Sequence, residues 1–505
     1  MSCVKVRSIS LRFSIHHLWA LVILAGVFIF VNTHPIRPHD FWWHIAVGRD
    51  IMQHGAIPQV DTYSYTAAGT PYPSYQVFWL MEIVLYLIYQ AGGAALTVFF
   101  QSLLITSAYS IILVTCLQQS RNWRAAAFGT AFAALLGLNS WNVRPQVITY
   151  LLGSLFLYLI SRMLRGGKKG WAFLLPVMMV IWVNSHGTFP LGIFFISLWV
   201  GQEVWRYVRG KIAGNRDADA SRAINAMGIF ILSLLACLIN PRGWGVVEYL
   251  QSLFGNPVIQ NLVIEWAPPT FASLDGGLFL AALLLSAIIM ALSPHRPTFY
   301  QLFLFLGSAS LALYTSRGIV WFGLAMAPLV AEHSMAIIAS LPKYAAPQGK
   351  SQGNPLINWI FLAVVMIMAV LTLPWFKDRI PMPEAKAGLI SGETPLQATE
   401  YLLSARPPGN IFHAMSFGSY LIWAAQPEYA VFVDGRIELY PPEVWEDYLA
   451  ISNAQGDWEG KLERYAVRTL MLNRSEQPAL VIAVEKSRNW QMVYEDAAAS
   501  IFVLP

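Results

Sequence analysis

Acidic side chains are scarce in the first three quarters of this chain: of its twenty-eight carboxylates, residues 1–375 hold eleven. Cysteine is scarcer still. Cys3, Cys116 and Cys237 are scattered through the N-terminus and apolar runs, with none in the tail, which excludes a disulfide framework and a thiolate metal site. No Gly-rich phosphate loop, Ser/His/Asp nucleophile set or Cys/His metal spacing stands out. No internal repeat is visible, so the two-halved pattern common in transporters is missing. The formal charge of +5 is diffuse, with Lys and Arg gathered in short loops. That pattern marks membrane topology, and no nucleic-acid partner is expected.

What the chain has in abundance is apolar sequence. Hydrophobic residues make up 56% of it and charged residues 12%, and apolar runs of spanning length recur from residue 15 to residue 375. This describes a polytopic membrane protein. The first run, Ile15 to Val31, follows Lys5, Arg7 and Arg12, and no small-residue cleavage site precedes His34, so a retained helix is expected. Further spans are predicted at Val77 to Gln90, Ala95 to Leu117, Ala125 to Leu138, Val147 to Met163, Trp171 to Val183 and Leu191 to Val208. They continue at Ala223 to Leu238, Gly277 to Leu292, Phe299 to Tyr314, Val320 to Ala331 and Ile357 to Leu373. Basic loops such as Arg162 to Lys169 and Arg206 to Arg222 read as cytoplasmic. The alternate loops, including 33–76, Asn139 to Gln146, Asn184 to Gly187, 240–275 and Thr315 to Gly318, then face outward. One inconsistency remains: two full crossings between Asp40 and Arg121 would place Arg121 outside. If Val77 to Gln90, which carries Glu82, is tilted or re-entrant, parity returns and the count of 11–13 spans settles near eleven.

After Trp375 the long apolar runs stop and the remaining seventeen carboxylates appear. Residues 376–505 are expected to form a soluble α/β domain on the outer side, following the membrane module of residues 1–375. Helices are predicted from Thr394-Pro395 through Leu403, at Pro442 to Ala454 and at Asp457 to Tyr465. Strands are predicted at Asn410 to His413, Tyr429 to Val433, Thr469 to Leu472, Gln491 to Tyr494 and Ile501 to Leu504. The expected location is a bacterial cytoplasmic (inner) membrane, with the tail periplasmic or extracellular.

Asp40, in His39-Asp40-Phe41-Trp42-Trp43-His44, follows the first span directly. A charge near hydrocarbon costs several kcal/mol unless paired or bound, which makes it a functional suspect. Residues 39–54 have helical periodicity and predict a helix lying in the interface, anchored by Trp42 and Trp43, with Asp40 and His44 on one face. The plainer alternative is that Asp40 caps this helix. Downstream, Pro58 to Tyr72 is a long aromatic loop punctuated by Pro and Gly, of a kind that builds sites. Glu82, inside an apolar segment, needs a partner or must be neutral.

These features resemble the GT-C superfamily of polytopic membrane glycosyltransferases. In that superfamily an acid in the first external loop, on a helix along the membrane, is the characteristic catalytic position, and Asp40 sits there. The stretch from Asp61 through Tyr65 to Gly69 is similar to the acidic, tyrosine-rich loop that follows. Ile264-Glu265-Trp266-Ala267-Pro268-Pro269 resembles the later acidic loop that oligosaccharyltransferase-type members bring over the site. Ser416-Phe417-Gly418-Ser419-Tyr420-Leu421 with Val433-Asp434-Gly435-Arg436 resembles their aromatic-Gly-Tyr segment and its Val-Asp. The tail lacks the Trp-Trp-Asp triplet tied to sequon recognition, and the first loop has one Asp rather than the acidic pair tied to an obligatory metal.

The resemblance implies a mainly α, GT-C-like helical bundle acting on a polyprenyl-phosphate- or diphosphate-linked sugar donor, with a lipid, glycan or protein acceptor and membrane lipids around it. Such chemistry needs a carboxylate to deprotonate the acceptor and cations to stabilise the departing phosphate. Asp40 is the candidate base. Arg144, Arg242 and Arg317, at outer ends of spans where basic residues are otherwise avoided, are candidates for the phosphate together with His186, although outward arginines also snorkel to lipid phosphates. His44, Asp61 and Glu265 are candidates near the acceptor or a metal. Glu265 either binds the acceptor, shares Mg²⁺ or Mn²⁺ with Asp40, or is a solvated loop acid. Asp434 and Arg436 read as a local ion pair after a turn. The expected function is an inverting, lipid-linked-sugar-dependent glycosyltransferase. A flippase or transporter of lipid-linked saccharides and a non-catalytic envelope assembly protein are the alternatives.

Overall fold

The computed structural model describes residues 14–215, 219–255, 264–341, 354–379 and 381–505. Its N-terminal three quarters are helical: α1 (Ile15–Thr33), α2 (Phe41–His54), α3 (Tyr75–Ser120), α4 (Trp123–Gly137), α5 (Val147–Leu164), α6 (Leu174–Val183) and α7 (Pro190–Ile212) come first. They are followed by α8 (Ser221–Ala236), α9 (Gly245–Gly255), α10 (Leu274–Leu292), α11 (Phe299–Tyr314), α12 (Gly318–Ser340) and α13 (Pro355–Leu371). Helices satisfy every backbone group internally, which hydrocarbon demands. Five are long and apolar enough to cross a membrane on length and composition alone, and shorter apolar helices accompany them. Leu284 and Ile288 on α10 and Ile360 and Phe361 on α13 are exposed, as lipid-facing side chains are.

The bundle is organised around α12, buried continuously from Gly318 to Ala331. Its Ala325 and Ala327, and Ala126 and Ala133 of α4, are small enough to let helix backbones approach closely. The sequence predicts an end at Ala331, but the helix continues past Glu332 and His333 to Ser340. Those two polar residues find partners instead of solvent: Gln301 Nε2 donates to Glu332 Oε2 at 2.8 Å and His333 Nδ1 lies 2.8 Å from Ser293 Oγ.

Helix α3 is not one continuous helix. Gly92 and Gly93 adopt non-helical angles (Gly93 φ 58°, ψ −152°) and divide it into segments 75–91 and 94–120. The first segment is about 25 Å long by helical rise, enough to approach a crossing, yet both its ends touch the tail. At one end Arg436 donates to the Tyr75 hydroxyl. At the other the Tyr89 ring packs 5.5 Å from Trp423. Segment 75–91 therefore lies at the tail end of the bundle, against α2. Gly48 permits this contact, since a Cβ there would fall 2.2 Å from the Glu82 carbonyl oxygen. The loops 138–146 and 184–189 and residues 265–269 and 315–317 lie at the same end of the bundle as Asp40 and the tail.

Helix α2 forms where the periodicity predicts it, but its tryptophans do not anchor in lipid. Trp42 and Trp43 are buried in protein, Trp42 edge-on to Tyr420 at 4.9 Å and Trp43 beside Tyr72 at 6.3 Å. The tail closes over the helix and takes the place that headgroups would have had.

The tail carries α14 (Leu396–Ala405), β1 (Asn410–His413), α15 (Met415–Ala424), α16 (Pro442–Ser452), α17 (Trp458–Arg464), β2 (Val467–Leu472), α18 (Pro478–Lys486), β3 (Gln491–Glu495) and β4 (Ser500–Val503). The sheet order is β1-β2-β4-β3, with β1 and β2 parallel and the other pairs antiparallel. Helices α15 and α18 are absent from the sequence-based expectation. The strand expected over Tyr429 to Val433 is a single bridge from Val431 to Ser64 of the first loop, with Val431 N donating to the Tyr63 carbonyl at 3.0 Å. A second bridge joins Ile36 to Ile390. Loop and tail share one hydrophobic core, in which Trp43, Val47, Tyr63 and Tyr75 pack with Phe417, Val431, Phe432 and Ile437.

This arrangement predicts a labelling pattern in intact cells. Cysteines introduced at the exposed positions Ala56 and Ser404 should both react with an impermeant thiol reagent, and one at exposed Gly170 should react only after permeabilisation. Opposite behaviour of Ala56 and Ser404 would contradict the shared side.

Candidate active site

The structure brings Asp40, Arg144, Glu265 and Arg317 into one chain of charges. Arg144 Nε lies 3.3 Å from Asp40 Oδ2, and Arg144 Nη1 is 3.0 Å from Glu265 Oε2. The same Glu265 oxygen accepts from Arg317 Nε at 2.9 Å and Nη2 at 2.8 Å. Each residue stands at the tail-side end of a helix or in a connecting loop: Asp40 before α2, Arg144 before α5, Arg317 before α12, and Glu265 on the short 3-10 turn Ile264–Trp266. Asp40 has helical angles (φ −53°, ψ −26°) and its side chain makes no capping hydrogen bond, so a cap does not explain it. The turn bearing Glu265 is docked on the α11–α12 connection, where Thr315 Oγ1 donates to the Glu265 carbonyl at 2.8 Å and Ser316 N to the Ala267 carbonyl at 3.0 Å.

These groups line a cavity of about 690 Å³ together with His44, His186, Trp43, Phe78, Trp266 and Trp321. The tail contributes Met415, Ser416, Ser419, Gly435, Ile437 and Glu438, which form its roof. A second cavity of about 450 Å³, lined by Asn139, Asn142 and Asp275 among others, shares Arg144, Glu265 and Arg317 with the first. Gly435 is pressed against the acid at the centre: a Cβ there would sit 2.5 Å from Asp40 Oδ1. Only glycine leaves the carboxylate its present place.

Electrostatics reinforce the geometry. Burial alone would raise the Glu265 carboxyl, but Arg144 and Arg317 overcome it and hold the group at about 2. Burial, helped by Arg317 and Arg144, pushes His186 down to about 3. Burial, helped by His186, Arg144 and Arg436, holds His44 well below the usual imidazole range. Both histidines are neutral near pH 7, so the positive charge in the cavity belongs to the two arginines. His44 Nδ1 lies 2.9 Å from Glu82 Oε1, which supplies the partner that Glu82 requires.

Two candidates lie elsewhere. Arg242 lines neither cavity; its guanidinium donates to the Gly245 carbonyl at 3.1 Å and to Gln76 at 3.4 Å, at the end of α8. Asp61 is fully buried and faces neither cavity. It pairs with Arg436 Nη1 at 2.5 Å, while Arg436 Nη2 pairs with Asp434 Oδ2 at 2.6 Å. Arg436 is itself inaccessible, lies 5.3 Å from the Tyr63 ring centre, and donates to the Tyr75 hydroxyl. The ion pair expected within Asp434-Gly435-Arg436 is thus also a bolt between the first loop and the tail. Asp40 and Glu265 do not share a space open to a divalent cation, because the Arg144 guanidinium stands between them. Among the described residues no group of three or more His, Cys, Asp and Glu side chains could hold a metal. Mg²⁺ or Mn²⁺ shared by Asp40 and Glu265 does not fit this arrangement. Glu438 and Gly435 are cavity residues that sequence reasoning missed, and the turn of Asp434-Gly435 was the available signal.

No family sequence model matches the chain, and no curated protein matches it significantly in sequence. Solved structures do match in fold. The Archaeoglobus fulgidus oligosaccharyltransferase, tethered with an acceptor peptide containing the NVT sequon, aligns over 96% of this chain and 74% of its own at TM-score 0.56 and 11% identity. The arabinofuranosyltransferase AftD from Mycobacteria aligns over 96% of this chain and 40% of its own, at TM-score 0.54 and 14% identity. ArnT from Cupriavidus metallidurans in the apo state aligns over 96% and 97%, at TM-score 0.53 and 13% identity. This chain therefore spans about two fifths of the mycobacterial protein it resembles. The chain shares the fold of these solved structures, and its apolar helices are those of a multi-pass membrane protein.

Removing the bolt should be costly. Arg436→Ala leaves two buried carboxylates without their shared cation, an effect of about 3–5 kcal/mol for a broken buried pair, and should lower the thermal midpoint of the detergent-solubilised protein markedly. Arg242→Ala, outside both cavities, should not. Equal midpoints for the two variants would contradict the assignment.

Proposed function

We propose that the protein is a glycosyltransferase that moves a sugar or oligosaccharide from a polyprenyl-phosphate-linked donor to a lipid, glycan or protein acceptor on the outer face of a bacterial cytoplasmic membrane. The observation that carries this reading is the run Asp40–Arg144–Glu265–Arg317 lining one cavity where the helical bundle meets the tail. A carboxylate and two guanidiniums at that depth are the groups the reaction needs. The donor's anomeric carbon lies beside its phosphate, at the level of the lipid headgroups, while its prenyl chain remains among the helices.

In the proposed step an acceptor hydroxyl or amide gives its proton to Asp40 as its oxygen or nitrogen bonds to the anomeric carbon. The bond from that carbon to the phosphate oxygen breaks, and the electron pair leaves with the phosphate. Attack from the face opposite the phosphate inverts the configuration. Arg144 and Arg317 stabilise the charge that develops on the leaving group, in a cavity shielded from water by the tail. Glu438 and the aromatic walls at Trp43, Phe78 and Trp266 offer hydrogen bonding and stacking to the acceptor. The missing Trp-Trp-Asp triplet argues against asparagine in a sequon as that acceptor. No step passes through a metal, so chelation of divalent cations should leave transfer intact.

The decisive substitution is Asp40→Asn, which keeps the side chain's size and its place beside Arg144 but removes the proton acceptor. Transfer by the purified enzyme should fall by roughly 10²–10⁴-fold, while donor binding and the thermal midpoint stay near wild type. Near-normal transfer would remove Asp40 as base. A flippase would show no sugar transfer in either form.

A further inference from the structure

Glu265 occupies the position that the proposed function reserves for phosphate. Its Oε2 takes hydrogen bonds from Arg144 and Arg317 together, in the forked manner in which guanidiniums hold phosphate oxygens. It is nevertheless not built in. The Glu265 side chain is 42% exposed, against 16% for Arg144, and its turn is attached through backbone bonds that do not involve the carboxylate. Arg144 Nε is buried and turned to Asp40 at 3.3 Å without an aligned hydrogen bond, so the guanidinium meets Glu265 through Nη1 alone. Glu265 also lines both cavities, so its side chain has open space on either side.

Charge narrows what can replace it. Among the described residues lining the larger cavity, Arg144 and Arg317 are the cations and Asp40, Glu265 and Glu438 the acids, so negative charge is already in excess. A sugar phosphodiester carries one negative charge, as Glu265 does, and exchanges with it at constant balance. A diphosphate diester carries two and would meet no additional cation there.

We propose that Glu265 is a built-in stand-in for a single phosphate: a donor with one phosphate displaces it from Arg144 and Arg317, and its return helps expel the polyprenyl phosphate product. This inference rests on the proposed phosphate-binding role of the two arginines and adds to it the donor class and the competitor.

The experiment titrates undecaprenyl phosphate and undecaprenyl diphosphate, each as its methyl ester so that the probes carry one and two charges as the donors do, into the purified full-length protein in micelles, read by native mass spectrometry. Removing a competing internal anion raises the competent fraction, so Glu265→Gln should bind undecaprenyl phosphate at least about tenfold more tightly than wild type. Glu265→Ala should do the same, and Arg317→Ala should abolish binding in either background. Unchanged or weaker binding in both Glu265 variants, with Arg317→Ala still defective, would overturn the stand-in and leave the arginine reading in place. Undiminished binding by Arg317→Ala would overturn both. A larger gain for undecaprenyl diphosphate than for the monophosphate would overturn the single-phosphate assignment.

Discussion

Everything on the tail side of the molecule depends on one buried cation. Arg436 lies between Asp61 of the first loop and Asp434 of its own turn, inside a cage formed by Tyr63, Tyr72, Tyr75 and Trp43. A guanidinium without water is tolerable only if its donors are all used. The geometry that uses them fixes the loop, the start of α3 and the tail with respect to one another. Gly435 and Glu438, adjacent to that cation in sequence, thereby become the roof of the cavity, and Gly435 sets the position of Asp40.

The second organising element is Arg144, which does for the site what Arg436 does for the frame, but at a partly open position. It touches both the acid proposed as base and the acid that occupies the phosphate position. The two arginine centres differ in purpose because they differ in access. One is sealed and structural, whereas the other borders two cavities and can exchange partners.

Much of this was legible in the sequence where the governing constraint is local. Apolar length determined the spans, and the shortage of acids before residue 375 made Asp40 and Glu265 conspicuous. Arg144 and Arg317 could be selected because basic residues are avoided at outward ends. Other features depend on contacts between residues hundreds of positions apart. Asp61 reads as a site acid because nothing near it in sequence shows that residue 436 will neutralise it. Trp42 and Trp43 read as lipid anchors because the surface that covers them comes from residues 415–437. Arg242 has the same local signature as Arg317, and only the path of the loop after α8 takes it out of the cavity. The strand expected at Tyr429 to Val433 fails for the same reason, since its one bridge is to Ser64 rather than to the tail's own sheet.

The break at Gly92–Gly93 has a consequence for how such a chain must be made. Segment 75–91 is apolar and has its natural cover in residues that emerge from the ribosome more than three hundred positions later: the Tyr75 contact to Arg436 separates residues by 361. Until then Asp61 lacks its counterion and Glu82 has only His44. The tail, synthesised after the bundle, is therefore the part that closes the cavity and places Gly435 against Asp40. Until the tail folds back, Asp40 stands without the Gly435 contact and without the roof of its cavity. Late completion of the cavity follows from the order of the sequence itself.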